Sequence, residues 1–259
     1  MKELCTSFTP MFSATPGRTE RACHSMGTGN AHPIRAQPYW GVSSSQNCYR
    51  TGDPGHASPV VLVSKPNGEI CFCVDYRKLN AVPRPDNYPM PRTDELLEKL
   101  GQAQFISTLD LTKGYWQVPL DESTKERLAF TTHVGLYEFN VLPFRLRNAS
   151  ATFQKLVDSL LAGLGDSAVA YLDDVAILSD SWAEHLEHLQ KVFERIREAG
   201  LTVKAKCQIG QRRVTYLGYQ VGQGTINLLQ AKVDAIRKWP VPKSKKQVQS
   251  FLGLAGYYR

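Results

Sequence analysis

The stretch Ala168 to Ser179, A-V-A-Y-L-D-D-V-A-I-L-S, sets two adjacent carboxylates between two short runs of apolar and β-branched residues. Asp is disfavoured inside strands and tolerated in tight turns, so the stretch reads as a β-hairpin with Asp173 and Asp174 at its tip. Such a tip can hold a hard divalent cation, and it can equally be an ordinary Asp-rich turn. The rest of the chain has to decide between the two.

Upstream, Phe105 to Asp110 (F-I-S-T-L-D) alternates like a strand and ends on a carboxylate, and Gly114 permits a tight turn just beyond it. Strand ends far apart in sequence can neighbour each other in a sheet, and three carboxylates would then converge. Like charges brought together are costly unless a cation neutralises them, so the cluster predicts bound Mg²⁺ or Mn²⁺. Two ions about 3.5–4 Å apart suit in-line phosphoryl transfer. The alternative for Asp110 is a cap on the following turn.

The remaining pattern mixes helices and strands. Residues 1 to 58 are rich in Gly, Pro, Ser, Thr, Asn and His, sustain no helical or strand period, and read as a linker or poorly ordered arm. Ser58 to Lys65, a Pro66-Asn67-Gly68 turn and Glu69 to Tyr76 read as a hairpin with Lys65 near its tip. Ala81 to Pro91 is extended loop, and Thr93 to Leu100 is a short amphipathic helix. Leu128 to His133 and Leu136 to Leu142 form a second hairpin, and Ala149 to Leu164 has helical spacing. Ser181 to Ala199 is the strongest helix, opened by a Ser181/Glu184 capping box, with His185 and His188 read as surface histidines rather than a metal pair. Val214 to Val221 reads as a strand with a central Gly, and Gln230 to Trp239 and Ser244 to Tyr258 as helices.

With 259 residues and 42% apolar content the chain can bury a real core, and its net charge of +7 favours a polyanionic partner. Six cysteines without C-x-x-C or zinc-like spacing indicate reduced thiols. No apolar run reaches the roughly 18 residues of a membrane span, and the N-terminus lacks the apolar core of a signal peptide, so a soluble intracellular protein is expected.

Y-L-D-D (171 to 174) together with F-I-S-T-L-D-L-T-K-G-Y-W-Q (105 to 117) resembles reverse transcriptase, most closely that of gypsy-type long-terminal-repeat retrotransposons. Supporting stretches are S-P-V-V-L-V (58 to 63), C-V-D-Y-R-K-L-N (73 to 80), A-T-F-Q (151 to 154), Y-L-G-Y (216 to 219) and K-K-Q-V-Q-S-F-L-G-L-A-G-Y-Y-R (245 to 259). The resemblance implies an α+β right-hand polymerase: an arm over 1–57, fingers and palm over 58–229, and a partial thumb over 230–259. It implies that Asp110, Asp173 and Asp174 bind two Mg²⁺ (Mn²⁺ possible) and that Lys206 donates a proton to pyrophosphate. Lys65, Tyr115, Leu111 and Gln154 would contact the nucleotide, Tyr115 as the gate against a 2′-hydroxyl, and Leu217, Gly218 and Tyr219 would grip the primer. Its partners would be an RNA or DNA template with primer and deoxynucleoside triphosphates, with no membrane. RNase H and integrase domains are expected in an intact polyprotein and are absent here, and the location would be cytoplasmic, in a virus-like particle, or nuclear.

Several positions depart from the family pattern. Cys71 stands where an Arg usually reaches the nucleotide phosphates, Arg145 where a Gly lies beside the templating base pair, and Ser150 where a Pro opens the helix. Region 40–57 is too short for the usual leading helix, the T-V-K-A-K-C segment (202 to 207) is one residue short, and the thumb is cut short, as in a fragment or a decaying copy. The expected function is therefore RNA-directed DNA polymerase. A catalytically impaired fragment that only binds nucleic acid is the alternative, and a two-metal nuclease would leave Tyr115 and Y-L-G-Y unexplained.

Overall fold

The computed structural model describes residues 11–12, 16–26, 49–51, 57–64, 70–132 and 135–257. Lys65 and the Pro66-Asn67-Gly68 turn lie outside them, as does most of region 40–57. No helix among the described residues is long and apolar enough to cross a membrane.

A five-stranded sheet, ordered β1-β6-β5-β2-β3, is built from β1 (Tyr49–Thr51), β2 (Ser58–Ser64), β3 (Ile70–Val74), β5 (Phe130–Thr132) and β6 (Gly135–Phe139). Its β2-β3 pair is the expected hairpin, with Val63 opposite Cys71 and Val61 opposite Cys73. A short helix α1 (Arg77–Asn80) leads from it through the proline-rich loop to α2 (Thr93–Gln102).

The second sheet, β7-β8-β4-β9, carries the carboxylates. It comprises β4 (Phe105–Asp110), β7 (Ala168–Tyr171), β8 (Asp174–Ser179) and β9 (Gln208–Gln211). Alternation along β7 and β8 divides its residues between two cores: Ala168, Ala170, Val175 and Ile177 join one, and Val169, Ala176 and Leu178 the other. On the first face lie α4 (Ala149–Leu161) and α5 (Trp182–Glu198), through Phe153, Leu156, Leu160, Leu189, Phe193 and Ile196. On the second face lie Leu96, Leu97 and Leu100 of α2 and a smaller sheet of β10 (Val214–Tyr216), β11 (Tyr219–Gly222) and β12 (Thr225–Leu228). Burial on both faces explains why β8 is nearly continuously apolar. Helix α3 (Glu122–Arg127) precedes β5, and α6 (Gln230–Arg237) and α7 (Lys245–Tyr257) follow β12.

Three expectations change. Val214 to Val221 is not one strand: Leu217 and Gly218 both take positive φ, 49° and 85°, and turn it into the β10-β11 hairpin. His185 is completely buried rather than at the surface, because Ser107 and Ser179 supply partners at 2.7 and 3.0 Å for its two ring nitrogens. Burial pushes its pKa down to about 4, so it is a neutral core residue at ordinary pH.

The third concerns the arm, whose residues 11–12 and 16–26 pack against the rest of the chain instead of forming a linker. Met11 and Met26 are buried in the larger core, and Phe12 packs edge-on against Phe193 at 5.6 Å. Backbone bonds run from Val203 N to Met11 O (2.9 Å), Thr19 N to Gln117 O (2.9 Å) and His24 N to Pro119 O (3.0 Å). This strap bonds to loop backbone instead of forming its own element, which is why no period marks it.

Candidate active site

Antiparallel pairing of β4 with β8 puts Asp110 directly opposite Asp174 at one end of the second sheet. The β7-β8 hairpin closes through Leu172 and Asp173, with Tyr171 opposite Asp174, so the turn delivers the third carboxylate to the same place. Leu172 takes φ 55°, a conformation that costs a branched side chain on the order of 1–2 kcal/mol and that hairpin turns usually reserve for Gly. The strain is held by Gln154, whose Oε1 accepts from Leu172 N at 2.8 Å.

Burial, and after it neighbouring charge, raises the pKa of two of the acids. Asp174 is pushed up to about 6, mainly by burial and then by the charges of Asp173 and Asp110. Asp173 is raised by burial and by Asp110. A folded pKa above the unfolded value means that the folded state keeps its proton longer, so raising the pH from about 4 to about 6 costs stability. In EDTA, the melting temperature of the protein relative to an Asp174→Asn variant is expected to fall between about pH 4.5 and about pH 6.5. A flat or rising difference would contradict this reading of the cluster.

Asp110 has a different neighbour: its Oδ2 accepts from Lys204 Nζ at 2.5 Å, while its Oδ1 is buried without a hydrogen-bond partner. Among the described residues no three His, Cys, Asp or Glu side chains already stand as a ligating group. The backbone therefore brings the carboxylates together, while the Asp110 side chain is turned to a lysine. An orphaned buried carboxylate oxygen beside two more acids, one with its pKa at about 6, is the chemistry that a hard divalent cation satisfies.

The loop after Asp110 is anchored on three sides. Leu111 N bonds Asp173 O at 3.1 Å, Thr112 N bonds Thr202 O at 3.0 Å, and Lys113 takes φ 48° ahead of the 3₁₀ turn Gly114–Gln117. Buried Gln117 donates to Thr112 O (2.9 Å) and Thr202 O (3.0 Å). Tyr115 is half-buried, its ring 5.1 Å from Phe153 and 5.6 Å from Phe144, and its hydroxyl lies 3.3 Å from Ser150 Oγ. Ser150 thus supplies a hydroxyl contact that a proline there could not make. The β10-β11 turn is tied in by Tyr216, whose hydroxyl donates to Asp174 O at 2.9 Å.

Of the residues singled out in the sequence, Asp110, Asp173, Asp174 and Tyr115 lie together, and the Leu217-Gly218-Tyr219 turn joins them through Tyr216. Lys206 is exposed and is not the lysine on the cluster: Lys204 N bonds Asp110 O at 2.8 Å, which sets Lys204 at the carboxylates. Leu111 has a fully buried side chain in the larger core, and its backbone N–H donates to Asp173 O. Gln154 is also fully buried and bonded to Asp158, Ala170 O and Leu172 N, so it braces the Asp-Asp turn. Gln154→Leu would leave Leu172 N unsatisfied, for about 1–3 kcal/mol of destabilisation and a weaker active turn. Thermal melting checks this; unchanged stability with a raised KM for nucleotide would instead make Gln154 a nucleotide contact.

Sequence reasoning missed Lys204 and Tyr216, and it flagged Ser150 only as a departure from the family pattern. The length of T-V-K-A-K-C was the one available signal for the first. Arg145 occupies a positive-φ position, 66°, which favours glycine, and its loop is held by Asn80 Nδ2 to Arg145 O (2.9 Å) and Arg147 N to Asn80 Oδ1 (2.8 Å).

The family "Reverse transcriptase (RNA-dependent DNA polymerase)" matches residues 63–221. The retrovirus-related Pol polyprotein from transposon 297 of Drosophila melanogaster is 39% identical over 235 residues, 88% of this chain and 22% of that protein. The Pol polyprotein from transposon gypsy of the same fly is 41% identical over 188 residues, 72% of this chain and 18% of that protein. The chain thus spans about a fifth of the length of these relatives. A foamy viral protease-reverse transcriptase solved with an RNA/DNA hybrid matches with TM-score 0.88 at 24% identity, over 99% of this chain and 37% of that one. The same viral protein solved with double-stranded DNA matches with TM-score 0.89 at 25% identity, over 99% and 57%.

Proposed function

We propose, for a chain that belongs to the reverse transcriptase family in its long-terminal-repeat retrotransposon branch, that it copies an RNA or DNA template by adding deoxynucleotides to a primer 3′-hydroxyl. The observation that carries the reading is the opposition of Asp110 and Asp174 across the β4-β8 register, with Asp173 in the adjoining turn.

In the reaction the primer 3′-oxygen bonds to the α-phosphorus of the incoming nucleotide, the bond to pyrophosphate breaks, and the hydroxyl proton is lost. Asp110 and Asp173 would hold two Mg²⁺, with Asp174 completing the set. Bound there, the ions supply charge neutralisation for the attacking and leaving oxygens. Tyr115, fixed by Phe153, Phe144 and Ser150, presents a ring against which a 2′-hydroxyl would clash. Lys113, exposed in the turn after Asp110, would supply positive charge for the triphosphate, and Lys65, outside the described residues, would do the same. The Leu217-Gly218-Tyr219 turn would support the primer end, held in register with Asp174 by Tyr216. The +7 net charge supports a nucleic-acid partner, and the RNA/DNA and DNA complexes of the foamy viral protein point to the same class. The binding-only alternative is not favoured, because Asp110, Asp173 and Asp174 are all retained and the β4-β8 register supports their convergence.

The test is extension of a labelled DNA primer on an RNA template with the four deoxynucleotides and Mg²⁺. Full-length product is expected, with ribonucleotides used poorly. Shortening of the primer, or equal use of ribonucleotides, would overturn the reading.

A further inference from the structure

Lys204 stands against Asp110 with its backbone fixed and its side chain free to leave. Lys204 N bonds Asp110 O at 2.8 Å, its own carbonyl accepts from Cys207 Sγ at 2.9 Å, and the preceding Val203 bridges both Phe12 and Leu111. Its Nζ lies 2.5 Å from Asp110 Oδ2, yet the two side chains keep 49% and 38% of their exposure. Exposed ion pairs are weak and lose to a stronger cation. The other Asp110 oxygen is the orphaned one, and no ligating group of three is assembled among the described residues. A dication joining Asp110 to Asp173 and Asp174 therefore meets a resident ammonium on the same carboxylate, and the two repel across a few ångströms.

We propose that Lys204 is a displaceable counter-cation: it neutralises Asp110 until a divalent cation takes its place, and so lowers the affinity of the carboxylate cluster for metal. The proposal rests on the reading that these carboxylates bind metal. Lys204 is in this sense a positioning residue, because it sets which way the Asp110 carboxylate is turned. The four-carbon stem lets the ammonium swing away without moving the backbone, so displacement needs no change of fold.

The test is Mn²⁺ binding to the full chain without nucleotide or primer, followed by the loss of the free Mn²⁺ electron paramagnetic resonance signal. Lys204→Met is expected to bind Mn²⁺ about two- to fivefold more tightly than the unmodified protein, the range that an exposed ion pair allows. Lys204→Arg, which keeps the cation, is expected to stay within about twofold of the unmodified protein. Asp110→Asn is expected to weaken binding. Unchanged or weaker affinity in a folded Lys204→Met protein, with Asp110→Asn still impaired, would overturn the role of Lys204 alone. Absence of saturable binding in the unmodified protein would overturn the metal reading and the proposal with it.

Discussion

Asp173→Asn is expected to lower the rate of nucleotide addition by about 10³-fold or more while the protein stays folded. The substitution keeps the size of the side chain and leaves untouched the backbone bond from Leu111 N to Asp173 O that ties the turn to β4. It removes one negative charge from a place where burial and Asp110 already raise the pKa of Asp173. Stability should therefore hold or rise slightly, and only the electrostatic work of the site should be lost. Metal-assisted charge neutralisation contributes several kcal/mol to such reactions, which is the origin of the expected factor. Single-turnover incorporation and a thermal melt, done on the same preparation, separate the two effects. Activity within about tenfold of the unmodified protein would remove Asp173 from the catalytic set.

The second large effect is expected at Gly114. A Cβ built there would lie 2.8 Å from Phe153 Cζ and 3.3 Å from Asp173 Cβ. Gly114 does not need a positive φ, so the constraint is contact alone. The ring of Phe153 is completely buried and packs on Tyr115, so it cannot retreat cheaply. Gly114→Ala should cost about 1–3 kcal/mol through overpacking. It should also displace Asp173 or Tyr115, and misplacement of about 1 Å can cost on the order of 10²-fold in rate. A lower melting temperature together with slower incorporation is the expected pair of results. Unchanged kinetics would show that the 3₁₀ turn does not set the position of the carboxylate.

The parts of the fold that obey a simple period were legible in the sequence. β4 and the Asp-Asp hairpin fall where alternation and the paired carboxylates put them, and Ser181 caps α5, its Oγ accepting from Glu184 N at 3.3 Å. The other half of that box differs, because Glu184 Oε2 accepts from Asp180 N and not from Ser181. What the sequence hid are interactions with no local spacing. The strap over residues 16–26 bonds loops about 100 and about 185 residues away, through Thr19 to Gln117 and Gly17 to Thr202. His185 reads as a surface residue until Ser107 and Ser179 arrive from other strands. Gln154 and Leu111 sit within matched motifs, yet they serve the turn and the core. Lys204 and Lys206 are both exposed cations two residues apart, and the backbone and side-chain pairing of Lys204 with Asp110 tells them apart.

The three carboxylates at the end of the β4-β8 pair are what the proposed template-directed polymerisation depends on. The most direct measurement is addition of a single deoxynucleotide to a primer on an RNA template, with Mg²⁺, beside an Asp110→Asn control. Incorporation of thymidylate opposite adenine is expected, with little incorporation of the other nucleotides there and none by the control. A chain that adds no more nucleotide than Asp110→Asn would contradict it.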